Sequence, residues 1–190
     1  MCVELVAIFS VIIKKNQTAM KKLAFIFISA LILVSCEQEK ESTYTTNELT
    51  YNLYQGSDFD YTGKVQIKEL LNGDLELTLE LSGSKDNEPY YFPAHLHFGS
   101  YDSADSPIAF QLDPVDIRTL KSVTILRQLS DGSKLKFADL NIFNGHIKIH
   151  LADSGPEYQV ILSVGNIGAN DNSPQAFKRE DMTVCSPYLN

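Results

Sequence analysis

The chain has no tryptophan, only four histidines and three cysteines, and fewer bases than acids. Each scarcity excludes something. Cys2 and Cys36 precede the patterned part of the sequence, so Cys185 stands alone there and no internal disulfide can staple the fold. Stability must come from a packed core in which phenylalanine and tyrosine supply the bulk. Sixteen Lys and Arg face 24 Asp and Glu, a net charge of −8. That excess of acid, without clustered basic residues, argues against nucleic acid and anionic headgroups as electrostatic partners. The apolar run from Leu23 to Val34 covers 12 residues, short of the ~20 that a helix needs to span a ~30 Å hydrocarbon core.

What is present explains that short run. Lys21-Lys22 precede it and Leu33-Val34-Ser35-Cys36 closes it. A positive segment, a short apolar segment and small residues before a cysteine make a bacterial lipoprotein cleavage signal. Residues 20–35 are therefore expected to be a signal peptide, and Cys36 the lipidated, palmitate-bearing first residue of the mature chain. Met20 opens that signal, so translation is expected to start there and residues 1–19 to be a mis-assigned extension. The expected location is the cell envelope, anchored by lipid at the outer membrane and facing the periplasm or the surface, with an unknown envelope partner. Removing residues 1–35, which hold four lysines and one glutamate, leaves 12 basic and 23 acidic side chains, a net of −11. Residues 36–47 begin with an acidic cluster, Glu37-Gln38-Glu39-Lys40-Glu41, and continue Ser/Thr-rich, which predicts a flexible tether. The acidic cluster resembles the surface-export signal of some lipoproteins.

Residues 48–190 have the length of one ordinary domain. From residue 60 the period is two: Leu75, Leu77, Leu79 and Leu81 alternate with Glu76, Thr78 and Glu80, an amphipathic strand. Asn72-Gly73 sets a hairpin turn between it and the Val65–Ile67 strand. Further strands are predicted at Tyr91–Phe98, Ile108–Leu112, Ser122–Leu126, His146–Leu151, Tyr158–Val164 and Met182–Cys185. Helix-like spacing is confined to Phe137–Phe143. The Gly/Asn-rich stretch Ser163–Asn172 reads as a long loop. About eight short strands with turn residues between them predict an all-β antiparallel sandwich or barrel, with one short helix near 137–143.

All four histidines fall in two strand motifs, Ala94-His95-Leu96-His97-Phe98 and Gly145-His146-Ile147-Lys148-Ile149-His150-Leu151. Alternation puts His95 and His97 on one face, and His146, Lys148 and His150 on one face of the other strand, all away from the apolar side. If the strands are neighbours, His95, His97 and one of His146 or His150 can converge on a copper or zinc ion, with Asp102, Asp105 or Asp153 as an oxygen ligand. His146 and His150 lie about 13 Å apart in a regular strand, so they cannot share one ion. Lys148 between them opposes a cation. The competing reading is a polar outer face of hydrogen-bonded histidines.

These motifs resemble the chordin-type (CHRD) domain. The likeness runs over residues about 48–185, through Gly63-Lys64-Val65, Leu75–Gly83, Pro93–Gly99, Ser106-Pro107-Ile108 with Leu112, Gly145–His150 and Tyr158–Leu162. That family pairs an early His-x-His strand with a late His-bearing strand and has no established biochemical role. The His-x-His step also looks like the copper strand of Cu/Zn superoxide dismutases, which implies a related sandwich. Ala152-Asp153-Ser154-Gly155 stands where CHRD domains commonly end in Pro-Gly-Glu-x-Arg-Gly. Compared with the dismutases, the chain lacks the internal disulfide and enough histidines for a second metal site, which argues against dismutase activity.

Other chemistry is absent from the sequence: there is no Gly-x-Ser-x-Gly, P-loop or dinucleotide fingerprint. Asp113 and Asp116 around Pro114-Val115 read as a turn with solvated carboxylates, and Cys185 as a packed or idle thiol. The expectation is a non-catalytic binding or structural module with no catalytic residues, the alternative being a copper- or zinc-binding protein.

Overall fold

A computed structural model describes residues 43–104 and 106–184. Cys36, Cys185, Asp105 and the whole signal segment lie outside the described residues. Eight strands run β1 (Tyr44–Gln55), β2 (Thr62–Leu70), β3 (Leu75–Ser82), β4 (Tyr91–Phe98), β5 (Ile108–Asp116), β6 (Lys121–Leu126), β7 (Asn144–His150) and β8 (Ile161–Gly168). All neighbours pair antiparallel, and the order β1-β2-β3-β6-β5-β4-β7-β8 closes into a barrel. The all-β expectation holds, and closure removes the sheet edges that a sandwich would have to protect.

Period-two patterning works as local chemistry predicts on the β2–β3 side. Val65 opposes Leu79 and Ile67 opposes Leu77, so the apolar side chains of both strands enter the barrel while Glu76, Thr78 and Glu80 point outward. Gly73 takes φ 78° in the connecting turn, which favours a residue without Cβ, and the Asn72 carboxamide accepts from the Asp74 amide at 3.0 Å.

Several elements differ from expectation. β1 begins at Tyr44, inside the stretch whose composition predicts a tether, and pairs with β2 from Tyr44↔Leu70 onward. Its polar residues face out and hide the period. β5 continues to Asp116, so Asp113 and Asp116 sit in a strand and not in a turn. Tyr158 belongs to a 3₁₀ turn, Pro156–Gln159, and the last strand starts at Ile161. That strand runs to Gly168, through six of the ten residues of the Gly/Asn-rich stretch that reads as a loop. Gly165 permits this because β1 passes close: a Cβ there would stand 2.1 Å from the Asn52 carbonyl oxygen. Residues 182–184 form no strand, and the helix-like Phe137–Phe143 is a 3₁₀ turn over Phe137–Ile142.

The main difference is burial. β2 and β3 alternate buried and half-exposed, whereas β7 from Gly145 to His150 and β8 from Ile161 to Ile167 are buried on both faces. The segment after β4 and the C-terminal segment roof the outer face of this sector. Tyr101, Ile161 and Val164 make a second small core with Phe177 and Met182. The Thr183 amide donates to the Tyr101 carbonyl at 3.1 Å, and the Tyr101 hydroxyl donates to the Ala176 carbonyl at 3.2 Å.

Leu96, fully buried inside the barrel, separates the two outward histidines of β4. Leu96→Ala is expected to cost about 2–5 kcal/mol, read as a lower midpoint in urea denaturation with an unchanged slope.

Candidate metal centre

β4 and β7 are neighbours, with His97 opposite His146 and His95 opposite Lys148. The register therefore gathers all four imidazoles on the outer face of two strands, as alternation predicts. They are not solvated, however. His95 is 5% exposed, His97 1%, and His146 and His150 0%. The sequence pattern shows which way a strand residue points but not what covers it, and here the cover comes from irregular segments.

His95, His97 and His150 come together, with one ring nitrogen of each within 4.8 Å of the others. His146 stays out of this group. It stacks on the far side, parallel to His97, with ring centroids 4.8 Å apart. The exclusion of one member of the β7 pair follows from strand rise: positions four apart cannot reach one point. Of the anticipated oxygen ligands, neither Asp102 nor Asp153 joins the group. Asp102 accepts from the Ser100 hydroxyl, and exposed Asp153 from the Ser154 hydroxyl.

Hydrogen bonds fix the rings. His97 Nδ1 lies 3.0 Å from the Ser106 carbonyl, His150 Nδ1 2.7 Å from the Tyr158 carbonyl, and His146 Nδ1 2.7 Å from the Gly99 carbonyl. A carbonyl only accepts, so each Nδ1 carries the proton and each Nε2 keeps a lone pair. Backbone carbonyls on the opposite ring nitrogen are also what orients histidine ligands in metal sites. His95 differs: its Nδ1 is buried with no hydrogen-bond partner. A hydrogen bond with the side chain of Gln111, its cross-strand neighbour on β5, engages the ring and favours its protonated form. His95 still offers one ring nitrogen to the triad.

Electrostatics keep the rings neutral. Burial lowers His95 and His97 to about 4, and His146 and His150 to about 3, against an ordinary 6.5. The carbonyl bonds partly offset this for His97, His146 and His150, and the Lys148 ammonium depresses the same three further. Lys148 is 1% exposed and donates to the Thr183 carbonyl at 2.6 Å. Tyr158 closes the other side, stacked on His150 with centroids 4.4 Å apart. Sequence reasoning misses both Gln111 and Tyr158. Gln111 is one of many exposed polar residues, and Tyr158 falls in a stretch whose pattern reads as a strand.

Neutral imidazoles at about 2.0–2.1 Å from a metal stand roughly 3.3–4.1 Å from one another, so small ring rotations bring this group into range. Donors of this type suit zinc and copper. No protein-family model, curated protein or solved structure matches the chain.

Proposed function

We propose that this protein is a lipid-anchored, CHRD-like envelope protein that binds one copper or zinc ion through His95, His97 and His150, as a binding module without catalysis. The observation that carries the metal reading is the convergence of three buried imidazoles, His95, His97 and His150, one of which, His95, has a buried Nδ1 without a hydrogen-bond partner. Leaving such an atom unsatisfied costs about 1–3 kcal/mol, and a Lewis acid satisfies it where a hydrogen-bond donor is missing. With imidazole ligands only, copper binds ahead of zinc in the general affinity order. The near-complete burial of the triad favours retention of an ion over turnover of a substrate. Lipidation rests on Leu33-Val34-Ser35-Cys36, whose small residues and cysteine suit signal cleavage and acylation.

Elemental analysis of protein purified without a polyhistidine tag tests the metal. About one copper or zinc per chain is expected, lost in His95→Ala. Metal-free protein whose melting temperature ignores both added copper and chelator would leave the histidines as packing groups and end the metal reading. Incorporation of labelled palmitate, abolished by Cys36→Ala, tests the anchor, and label retained in that variant would remove it.

A further inference from the structure

β5 and β6 share a single ladder pair, Asp116↔Lys121. Beyond that pair the Asp113 amide donates to the Thr124 hydroxyl at 2.8 Å and, past the end of β6, the Ser130 amide donates to the Ala109 carbonyl at 2.8 Å. Beside that last bond lies an open cavity of about 590 Å³, lined by Pro107, Ile108, Gln111, Gln128 and Ser130 among others. This volume is in the usual range for small-molecule sites. On a protein with net charge −8, none of the cavity's lining residues is charged. Most of the wall is apolar, and its polar side chains are two carboxamides and one hydroxyl. The Gln128 amide donates to the Gly132 carbonyl and the Ser130 hydroxyl to the Ile108 carbonyl, so the Gln128 carbonyl and the Ser130 oxygen are left as acceptors. Gln111 stands opposite His95 in the β4–β5 register, and its carboxamide can donate as well as accept. A charged ligand would find no counter-charge here and would lose part of its hydration against the apolar wall. A hydroxyl, able to donate and accept at once, matches the polar groups, and an apolar ring matches the rest.

We propose that this cavity binds a small neutral phenol, ring against Pro107 and Ile108 and hydroxyl between Gln111 and Gln128, and that Gln111 transmits its occupancy to His95. The transmission rests on the metal reading above; the binding itself does not.

Phenol titrated into ¹⁵N-labelled, metal-free protein tests the cavity. Amide shifts are expected at residues 107–111 and 128–130. Affinity is expected to fall about tenfold in Gln111→Ala and in Gln128→Ala, the usual worth of one lost hydrogen bond. Both side chains are exposed, so both variants should fold. Benzoate and benzylamine are expected to bind at least about tenfold more weakly, for want of a counter-charge. Either ion binding as well as phenol, glucose binding better than phenol, or shifts confined to other surfaces would overturn the assignment. On copper-loaded protein, phenol is expected to move the Cu(II) visible band in wild type but not in Gln111→Ala. An unmoved band alongside intact phenol binding would overturn the transmission alone. Failure to load copper would overturn the metal reading and leave the titration standing.

Discussion

Replacing His150 with alanine is expected to remove the metal, while the same change at His146 is expected to leave it bound. Both residues lie on β7, point to the same face and are fully buried, so composition and burial do not distinguish them. Geometry does: only His150 places a ring nitrogen within 4.8 Å of those of His95 and His97. Structural zinc held by four ligands is worth about 10–16 kcal/mol, so one ligand of such a set carries roughly a quarter, or about two to three orders of magnitude in affinity. His146 contributes a ring stacked on His97 at 4.8 Å, a contact that orients a ligand without being one. Its loss is expected to weaken binding by about 10–100-fold, as for other groups that support a ligand from behind. Competition with a chromophoric chelator measures both constants, and circular dichroism confirms that each variant folds. Equal losses at the two positions would show that the triad is not the site. Lys148→Met gives a third reading of the same centre. Removing an ammonium from beside three imidazoles is expected to tighten metal binding, because like charges repel more strongly in a buried setting than in water.

The barrel and the candidate site were legible to different depths for identifiable reasons. Leu75 to Leu81 announce a strand because one face is wet, and the same contrast places His95 and His97 together on β4. Strand rise alone was enough to rule that His146 and His150 could not serve one ion. Pairing of β4 with β7 was not in the pattern; it depends on topology, and it decides that the triad exists. Nor did the sequence disclose the roof. Tyr101 and Phe177 lie in segments without periodicity and Met182 and Thr183 in one that reads as a strand, yet they turn a face with every mark of a solvated surface into an interior. β1 escaped notice for the opposite reason, since Thr46, Asn47 and Glu48 are exposed and Thr45 only half-buried, which leaves little apolar signal.

That roof has an acid-labile consequence. Stripped of metal by a chelator, the protein is expected to unfold between about pH 6 and pH 4, well above the range in which its depressed carboxylates titrate. The folded state holds His95 and His97 at about 4 and His146 and His150 at about 3, mainly by burial. Released from the fold, each ring titrates near the ordinary 6.5, so the unfolded chain binds more protons as soon as the pH drops below that value. The stabilising contribution of the neutral rings is therefore complete above about pH 6.5 and is lost as the pH falls toward the folded values. A single ring held at about 4 forfeits about 3 kcal/mol by pH 4. The four rings touch one another and Lys148, so their shares do not add simply, but two alone approach the stability of an ordinary domain, about 5–15 kcal/mol. Asp74, Glu80 and Asp116 are held below the usual carboxylate range by Lys134, by Lys121 and Lys64, and by Arg118 respectively, and their contributions disappear only at lower pH. Bound metal competes with protons for the same lone pairs, and saturation at a hundred times the dissociation constant adds about 2.7 kcal/mol. Loaded protein should accordingly unfold at a lower pH than stripped protein. Far-UV circular dichroism against pH, with chelator and with zinc, measures both midpoints. A stripped protein that keeps its sheet signal below about pH 3 would mean that the imidazoles are not held neutral by the fold, and coincident midpoints would mean that the metal does not reach them.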